Sequence, residues 1–288
     1  MASIRIVKGT ALYNGPSYNI PIFPLTATTG TSTSLLLNAT SSTTYLTDSS
    51  PYNATVINVG SVVWSQNSPV PVINPYSITS TFNNKASLYI GANSYVSYPD
   101  NVQLDPTGMF TIEFWWRPDA AGGTQEVITK GLGLQIYINT TLGMYAGLSA
   151  SNNTTYFMNN GGGTFVAGNW NHVALVRNSS GVNTLYVNGT QVGTPTSGLM
   201  NTGSSPFYIG CLSGTQYFSP GYYSNIRFVN GTAVYTSNFV PPTTPLTAIP
   251  GTALLTAQFT NGTADNSGNN FTPTSVGTVT VSTSVLPF

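Results

Sequence analysis

Three acidic residues in the middle of the sequence, Glu113, Asp119 and Glu126, carry the side chains that glycoside hydrolysis uses. That reaction needs two carboxyl groups on either side of the scissile bond, about 5 to 9.5 Å apart. Glu113 is the strongest candidate for one of them, with the other two nearby in sequence. Whether any two form a catalytic pair depends on the elements that position them.

The sequence contains one histidine and one cysteine, His172 and Cys211. A Ser/His/Asp device would have to centre on His172, but the strand-like run WNHVALVR around it favours a packed, hydrogen-bonded residue. Cys211 cannot form an internal disulfide, and we expect a buried, inert thiol. The sequence has no P-loop and no dinucleotide-binding glycine pattern.

Charged residues make up only 5% of the sequence, against about 25% in an ordinary soluble domain. The seven basic and seven acidic residues give a net charge of zero, which argues against nucleic acid as a partner. No apolar run approaches the roughly 18 residues of a membrane helix, and MASIRIVKG lacks the apolar core of a signal peptide, so we expect no membrane insertion. Few strong helix formers and many Thr, Val, Tyr and Phe residues predict an almost entirely β chain.

Short strand-like runs recur through the middle of the sequence. In FTIEFWWR, four large apolar residues from Phe110 to Trp116 alternate with their neighbours and share one face. The pair Asn188-Gly189 lies between two further strand-like runs, which is a strong hairpin signal. Short strands at these intervals favour a sandwich or a jelly roll over alternating strands and helices.

The phrase RIVKGTALY at residues 5–13 returns as RFVNGTAVY at residues 227–235. The likeness continues beyond this phrase, because PLTA recurs, Asp48 matches Asp265 and NVGSV matches SVGTV. Roughly the first 65 residues resemble the last 62, at a separation far greater than the 20 to 50 residues of stacked repeats. The sequence therefore predicts one large unit with pieces of neighbouring units at its ends.

Several of these runs together carry a family resemblance. The phrases SLYI, YVSYPD, FTIEFWWRP, WNHVALVR, LYVNGTQV and IRFVNGTAVYTSNFVPPTTPL resemble the laminin-G-like, concanavalin A-like jelly-roll domains of bacteriophage structural proteins. The resemblance covers roughly residues 35–240. It implies an all-β, two-sheet antiparallel jelly-roll sandwich with extra terminal strands.

The resemblance also implies a division of the chain. Residues 1–30 are similar to the end of a preceding unit, residues 31–249 to one whole jelly roll, and residues 250–288 to the opening of a third unit. Strands without their own sheet must pair with an available edge. We therefore expect Ile4, Ile6 and Leu12 to be buried assembly residues, docked on this molecule's own sandwich or on a neighbouring protomer; a locally packed recombination remnant is the alternative.

Relatives of this kind often bind calcium in a loop, and the hard oxygen ligands of that ion point to Asp100 and Asp105. The sequence departs from the pattern, with LYIG at residues 88–91 and no paired acids before the last strand. Turn-capping aspartates are the favoured interpretation, so no cofactor is expected.

Glu113 lies in a strand phrase of the non-enzymatic relatives, and no Glu-x-Asp-x-Glu cluster of the hydrolase type occurs. We therefore expect no enzyme activity.

Sugar binding would need aromatic platforms beside amide groups, and several such residues lie in or beside predicted loops. The candidate glycan-binding residues are Trp64, Asn152, Asn153, Tyr156, Gln216, Tyr217, Phe218 and Tyr222. With seventeen tyrosines in the sequence, some exposed rings are also expected by chance.

The leading hypothesis is a non-enzymatic phage virion protein on the particle exterior, as a capsid decoration, knob or fibre component. Its expected partners are other virion proteins, further copies of itself in a homo-oligomer, and host-surface polysaccharide. The alternative is a dedicated tail receptor-binding lectin or adhesin.

Overall fold

The computed structural model describes residues 3–8, 33–38, 46–57, 85–106, 108–120, 122–140, 143–163 and 165–288. The chain forms two compact units, residues 1–83 and residues 84–288. Two of the predicted site residues, Leu12 and Trp64, lie outside the described residues.

The regular secondary structure of the larger unit consists almost entirely of strands, as the composition predicts. In chain order its described strands are β3 (Ser87–Ile90), β4 (Tyr95–Tyr98), β5 (Phe110–Pro118), β6 (Gln125–Lys130), β7 (Leu134–Ile138), β8 (Met144–Leu148), β9 (Met158–Gly162), β10 (Asn171–Arg177), β11 (Val182–Val187), β12 (Thr190–Ser197), β13 (Phe207–Ile209), β14 (Gly221–Asn230), β15 (Thr252–Thr256), β16 (Thr274–Val276) and β17 (Val279–Ser282). The one helix in the described ranges is a 3-10 turn, Val102–Leu104, too short to cross a membrane.

These strands form two antiparallel sheets, which confirms the predicted two-sheet sandwich. One sheet has the order β12-β11-β10-β5-β14-β3-β17, with β15 also paired to β14. The other has the order β16-β4-β13-β6-β7-β8-β9. Neighbours in these orders are often distant in sequence, as in a jelly roll.

The core follows the alternation in the strand sequences. Phe110, Ile112, Phe114 and Trp116 of β5 are all fully buried and belong to one large hydrophobic cluster with residues from both sheets. The opposite face of this sheet is covered as well, because Ala233, Tyr235 and Phe239, in the closing segment that follows β14, pack on Ala174, Val176 and Tyr186. This cover explains why β5 and β10 carry apolar residues on both faces.

The predicted hairpin is present. Asn188 and Gly189 join β11 to β12 with φ angles of 50° and 77°, the two positive values that a type I′ turn requires. Gly189 is also enclosed, because a Cβ there would overlap the carbonyl oxygen of Phe239.

Residues 250–288 complete the larger unit. β15 pairs with β14, β16 with β4 and β17 with β3. Leu254 is fully buried and Phe271 nearly so. The predicted boundaries at residues 30/31 and 249/250 stay predictions about units of sequence. In the structure, residues 250–288 supply strands to both sheets, because their strands pair with β3, β4 and β14.

The smaller unit contains β1 (Ser3–Val7) and β2 (Thr33–Asn38), which pair antiparallel. Ile4 is half-buried, whereas Ile6 is 52% exposed. Their predicted role in assembly stays a prediction.

The sequence repeat is also a structural repeat. Arg5 lies opposite Leu36 in the β1–β2 pair, and Arg227 lies opposite Leu255 in the β14–β15 pair. Both strand pairs shift register at the same point, between the first and the second residue after the arginine. The repeated phrase therefore specifies the antiparallel strand pair and its register shift as well as the strand itself.

Each copy of the repeat contains an aspartate that makes the same set of hydrogen bonds. It accepts hydrogen bonds from the backbone N–H groups of the second strand and of the residues two and six positions further on; these donors are Leu36, Ser50 and Ala54 for Asp48, and Leu255, Ser267 and Phe271 for Asp265. Burial raises the pKa of Asp48, but the backbone donors of Leu36, Ala54 and Ser50 outweigh it and lower the pKa to about 2.

Candidate functional site

A cleft of about 430 Å³ opens on the outward face of the seven-stranded sheet, within the larger unit. Strands supply one part of its lining and four loops supply the rest. The strand residues are Glu126, Gln135, Tyr137 and Asn159, and the loop residues are Thr124, Leu132, Thr154, Tyr156, Leu212, Gln216 and Tyr217. Its volume falls within the range of small-molecule sites.

The base of the cleft follows from alternation along β7, whose sequence is LQIYI. Leu134, Ile136 and Ile138 are buried in the core, so Gln135 and Tyr137 project to the opposite face. Cross-strand pairing then sets their neighbours, because Glu126 lies opposite Tyr137 and Tyr145 lies on its other side.

The aromatic side chains are held in place by hydrogen bonds and stacking. The Tyr137 hydroxyl donates to Asn159 Oδ1 at 2.6 Å, and its ring stacks on that of Tyr145 with centroids 5.6 Å apart. Gln135 Nε2 donates to the Tyr156 hydroxyl at 2.8 Å. The Tyr156 ring lies over Gly147, where an added Cβ would be 3.4 Å from it. These contacts fix two phenol rings before any ligand binds.

Tyr217 forms the opposite rim. It is 48% exposed and has a φ of 53°, an uncommon conformation for a bulky residue. Its carbonyl accepts from Glu126 N at 2.8 Å, and the preceding Gln216 forms a bridge with Leu212. Backbone strain of this kind persists where surrounding structure imposes it, often at binding sites.

Glu126 is the one acidic residue among the described lining residues, and it is 3% exposed. Its Oε2 atom has no hydrogen-bond partner in the described part of the chain. Burial raises the pKa of Glu126 to about 8, because removing the carboxylate from water penalises its charged form. At neutral pH the carboxyl group is therefore mostly protonated.

The structure brings three of the predicted glycan residues together and separates the others. Tyr156, Gln216 and Tyr217 line the cleft. Asn152 and Asn153 instead hold the neighbouring loop, since Asn152 Oδ1 accepts from the N–H groups of residues 132 and 133, and Asn153 Oδ1 from that of residue 155.

Two further predicted residues lie away from the lining. Phe218 is half-buried next to the rim. Tyr222 is on β14 in the other sheet, where its ring centroid lies 4.9 Å from that of Tyr89 and 5.3 Å from the Arg117 guanidinium. A glycan-binding role for any of these residues stays a prediction.

Sequence reasoning did not assign Glu126, Gln135, Tyr137 or Asn159 to this site. The period-2 pattern of LQIYI could have placed Gln135 and Tyr137 on the outward face. No local pattern could have indicated that Glu126 would be buried beside them, because its neighbours come from three separate parts of the chain.

The two metal candidates contact a lysine. Lys130 is fully buried, and its Nζ lies 2.6 Å from Asp100 Oδ1 and 2.7 Å from Asp105 Oδ1. The Thr202 hydroxyl also donates to Asp105 at 2.6 Å. The ammonium group thus neutralises the carboxylates that a cation would need, and no cluster of three metal-ligating side chains occurs within the described residues.

Glu113, the strongest catalytic candidate from the sequence, is fully buried in the other sheet. It accepts hydrogen bonds from Arg227 Nε at 2.9 Å and Nη2 at 2.5 Å, and from the Tyr235 hydroxyl at 2.7 Å; His172 Nε2 is 3.3 Å away. Burial alone would raise the pKa of Glu113, but His172 and Arg227 hold it below its usual value.

His172 and Cys211 are both buried, as expected from the sequence. His172 packs among the rings of Trp115, Tyr235 and Phe239. Burial raises the pKa of the Cys211 thiol to about 12, which keeps it in the unreactive thiol form.

A laminin-G family model, described as the concanavalin A-like lectin/glucanases superfamily, matches residues 90–234. The matched segment contains β4 to β14 and every lining residue of the cleft. No curated protein sequence matches the chain.

Among solved structures, a Bacteroides ovatus protein provisionally named as carbohydrate-binding is similar, with a TM-score of 0.55 and 19% identity over 69% of this chain and 59% of that one. The chain thus spans less than two thirds of that protein. The heptameric SAP-like pentraxin of Limulus polyphemus gives 0.45 and 14%, over 70% and 96% of the two chains. The CBM40 of a Ruminococcus gnavus IT-sialidase, bound to α2,3-sialyllactose, gives 0.37 and 16%, over 47% and 85%. At these identities the likeness is one of fold.

Proposed function

The chain belongs to the concanavalin A-like lectin/glucanases superfamily, and from this premise we propose that residues 84–288 form a non-enzymatic carbohydrate-binding module. The observation that carries the proposal is the cleft on the seven-stranded sheet, with rings of Tyr137, Tyr156 and Tyr217 beside the amides of Gln135 and Gln216. Saccharides present apolar C–H faces and hydroxyl groups, which aromatic rings and amides can bind together.

The carboxyl groups favour binding over hydrolysis. Glycoside hydrolysis requires a pair of carboxyl groups, and Glu126 is the one acidic side chain among the described residues that line the cleft. Glu113 lies in the other sheet with its oxygens occupied by Arg227 and Tyr235. Among the described lining residues, a saccharide in the cleft would therefore meet a single carboxyl group.

The resemblance to phage structural proteins supplies the proposed setting. We place the module on the exterior of a virion, as a homo-oligomeric capsid decoration, knob or fibre component that contacts other virion proteins and host-surface polysaccharide. The low charge fits that setting, since a surface of hydroxyls and amides responds little to changing salt. Copy number in purified virions tests the setting: hundreds indicate decoration, about a dozen indicate a tail adhesin, and complete absence contradicts both.

Glycan binding is tested by one cleft variant and one matched control. We expect the full chain to bind saccharides on a glycan array, and Tyr217→Ala to reduce affinity at least tenfold, because truncating an aromatic residue that anchors a ligand costs about 2 kcal/mol or more and about 1.4 kcal/mol corresponds to tenfold. Tyr89→Ala removes a tyrosine from β3 in the other sheet and should bind as the wild type does. Equal losses in both variants, or no binding by the wild-type chain, would contradict the proposal.

A further inference from the structure

We propose that the cleft selects uncharged saccharides and that the protonated Glu126 carboxyl donates a hydrogen bond to an acceptor oxygen of the sugar. This inference rests on the proposed saccharide binding and adds the ligand class and a dependence on protonation. Binding should then weaken when Glu126 ionises, although the sugar itself has no titratable group.

The position of Glu126 supports this role. Its side chain lines the cleft, yet it is only 3% exposed and its Oε2 atom has no partner in the described ranges. Buried polar atoms are normally hydrogen-bonded, and leaving one unpaired costs free energy. An occupant of the cleft that pairs with this carboxyl would remove that cost, so the unpaired oxygen indicates where a polar group of the ligand belongs.

The remaining lining argues against a charged ligand. The described lining residues contain no Arg, Lys or His, so an acidic sugar would be desolvated beside a carboxyl group and phenols without a counter-charge. An ammonium group would require Glu126 to be ionised. That case makes a different prediction for the Glu126→Gln variant, which keeps the shape of the carboxylic acid but cannot ionise.

Among the groups that face the cleft, Glu126 is the one whose change of protonation falls near neutral pH. Its pKa is raised to about 8 by burial, and an occupant that displaces water from the cleft would oppose ionisation further. The titratable groups that face it are Tyr137, on the adjacent strand, and Cys211, Tyr156 and Tyr217 from the loops. The pKa values of Tyr137 and Cys211 are raised to about 12, so neither changes charge near pH 8.

The experiment compares wild type and Glu126→Gln at two pH values. A glycan array carrying neutral, acidic and amino saccharides is probed with the full chain at pH 6.5 and 9.0, and the neutral array saccharide with the strongest signal is titrated by calorimetry. Wild-type affinity should fall about tenfold over this interval, because only the protonated fraction binds. Glu126→Gln should bind that saccharide at both pH values with nearly equal affinity.

Two controls separate Glu126 from its neighbours. Tyr217→Phe and Cys211→Ser should keep the wild-type pH dependence, and thermal unfolding at pH 9.0 should confirm that every variant remains folded. Preferred binding of acidic or amino saccharides, wild-type affinity that holds or rises at pH 9.0, or loss of neutral-sugar binding in folded Glu126→Gln would overturn the inference while saccharide binding stands. Absence of binding to every array saccharide would instead contradict the proposed function itself.

Discussion

The charged residues of this protein are few, and several of them form ion pairs in which at least one partner is buried. Arg227 and Glu113 are direct cross-strand partners in β14 and β5, and the Arg227 guanidinium donates a hydrogen bond to the Glu113 carboxylate. Lys130 joins Asp100 and Asp105 at the end of β6. A buried ion pair adds little net stability over an apolar pair, but breaking one leaves an uncompensated charge.

The Glu113→Gln variant tests this at a single residue. Loss of the carboxylate leaves the Arg227 guanidinium buried without its counter-charge, so the free energy of unfolding should fall by about 3 to 5 kcal/mol. Urea denaturation followed by circular dichroism measures the change. The matched control is Asp119→Asn, whose carboxylate bonds Tyr89 at an exposed position and should cost less than about 1 kcal/mol. A Glu113→Gln protein as stable as the control would show that the cluster does not stabilise the fold.

At the scale of elements, short sequence phrases specify whole turns and strand pairs. The tripeptide Asn-Gly-Thr follows β11 and again ends β14, and both glycines, Gly189 and Gly231, have a positive φ close to 78°. Their surroundings differ, because a Cβ at Gly189 would overlap the backbone of residue 239, whereas nothing lies within 4 Å of one at Gly231.

This difference gives a matched pair of variants. Gly231→Ala should cost only the left-handed conformation, about 1 to 2 kcal/mol. Gly189→Ala should cost that amount and a further 1 to 3 kcal/mol, roughly, for displacing the closing segment at residue 239. Thermal and urea unfolding of the two variants measure the difference. Equal destabilisation would mean that the closing segment moves aside without cost.

At the scale of the whole molecule, the larger unit depends on strands from both ends of its sequence. Residues 250–288 add one strand to the seven-stranded sheet and two to the other. They also contribute Ala253, Leu254, Ala257 and Phe271 to the main hydrophobic cluster. A jelly roll that ended at residue 249 would lose these strands and leave the edges of β3, β4 and β14 without them.

Two fragments test where the folding unit ends. Residues 84–288 should form a soluble monomeric or oligomeric protein with a single cooperative unfolding transition, because they contain both sheets. Residues 84–249 should lack that transition, since removing buried leucine and phenylalanine side chains costs about 2 to 5 kcal/mol each. Calorimetry of the two fragments decides. Cooperative unfolding of the shorter fragment would instead support the boundary predicted from the sequence resemblance.

The sequence by itself determined the β class, the alternation along β5, the Asn188-Gly189 hairpin and the repeat that carries Asp48 and Asp265. It also placed Tyr156, Gln216 and Tyr217 in loops, and their glycan-binding role stays a prediction. These follow from local rules, because alternation, turn chemistry and loop composition act over a few neighbouring residues.

The tertiary structure alone decided which distant residues meet. It placed Glu126, whose Oε2 atom has no hydrogen-bond partner among the described residues, beside Tyr137 and Tyr217. It also paired Asp100 and Asp105 with Lys130, and Glu113 with Arg227. The same residue type, glutamate, has its pKa raised at one position and lowered at the other. The physical reason is that burial and neighbouring charge set the state of an ionisable group, and both arise only when strands far apart in sequence are packed into two sheets.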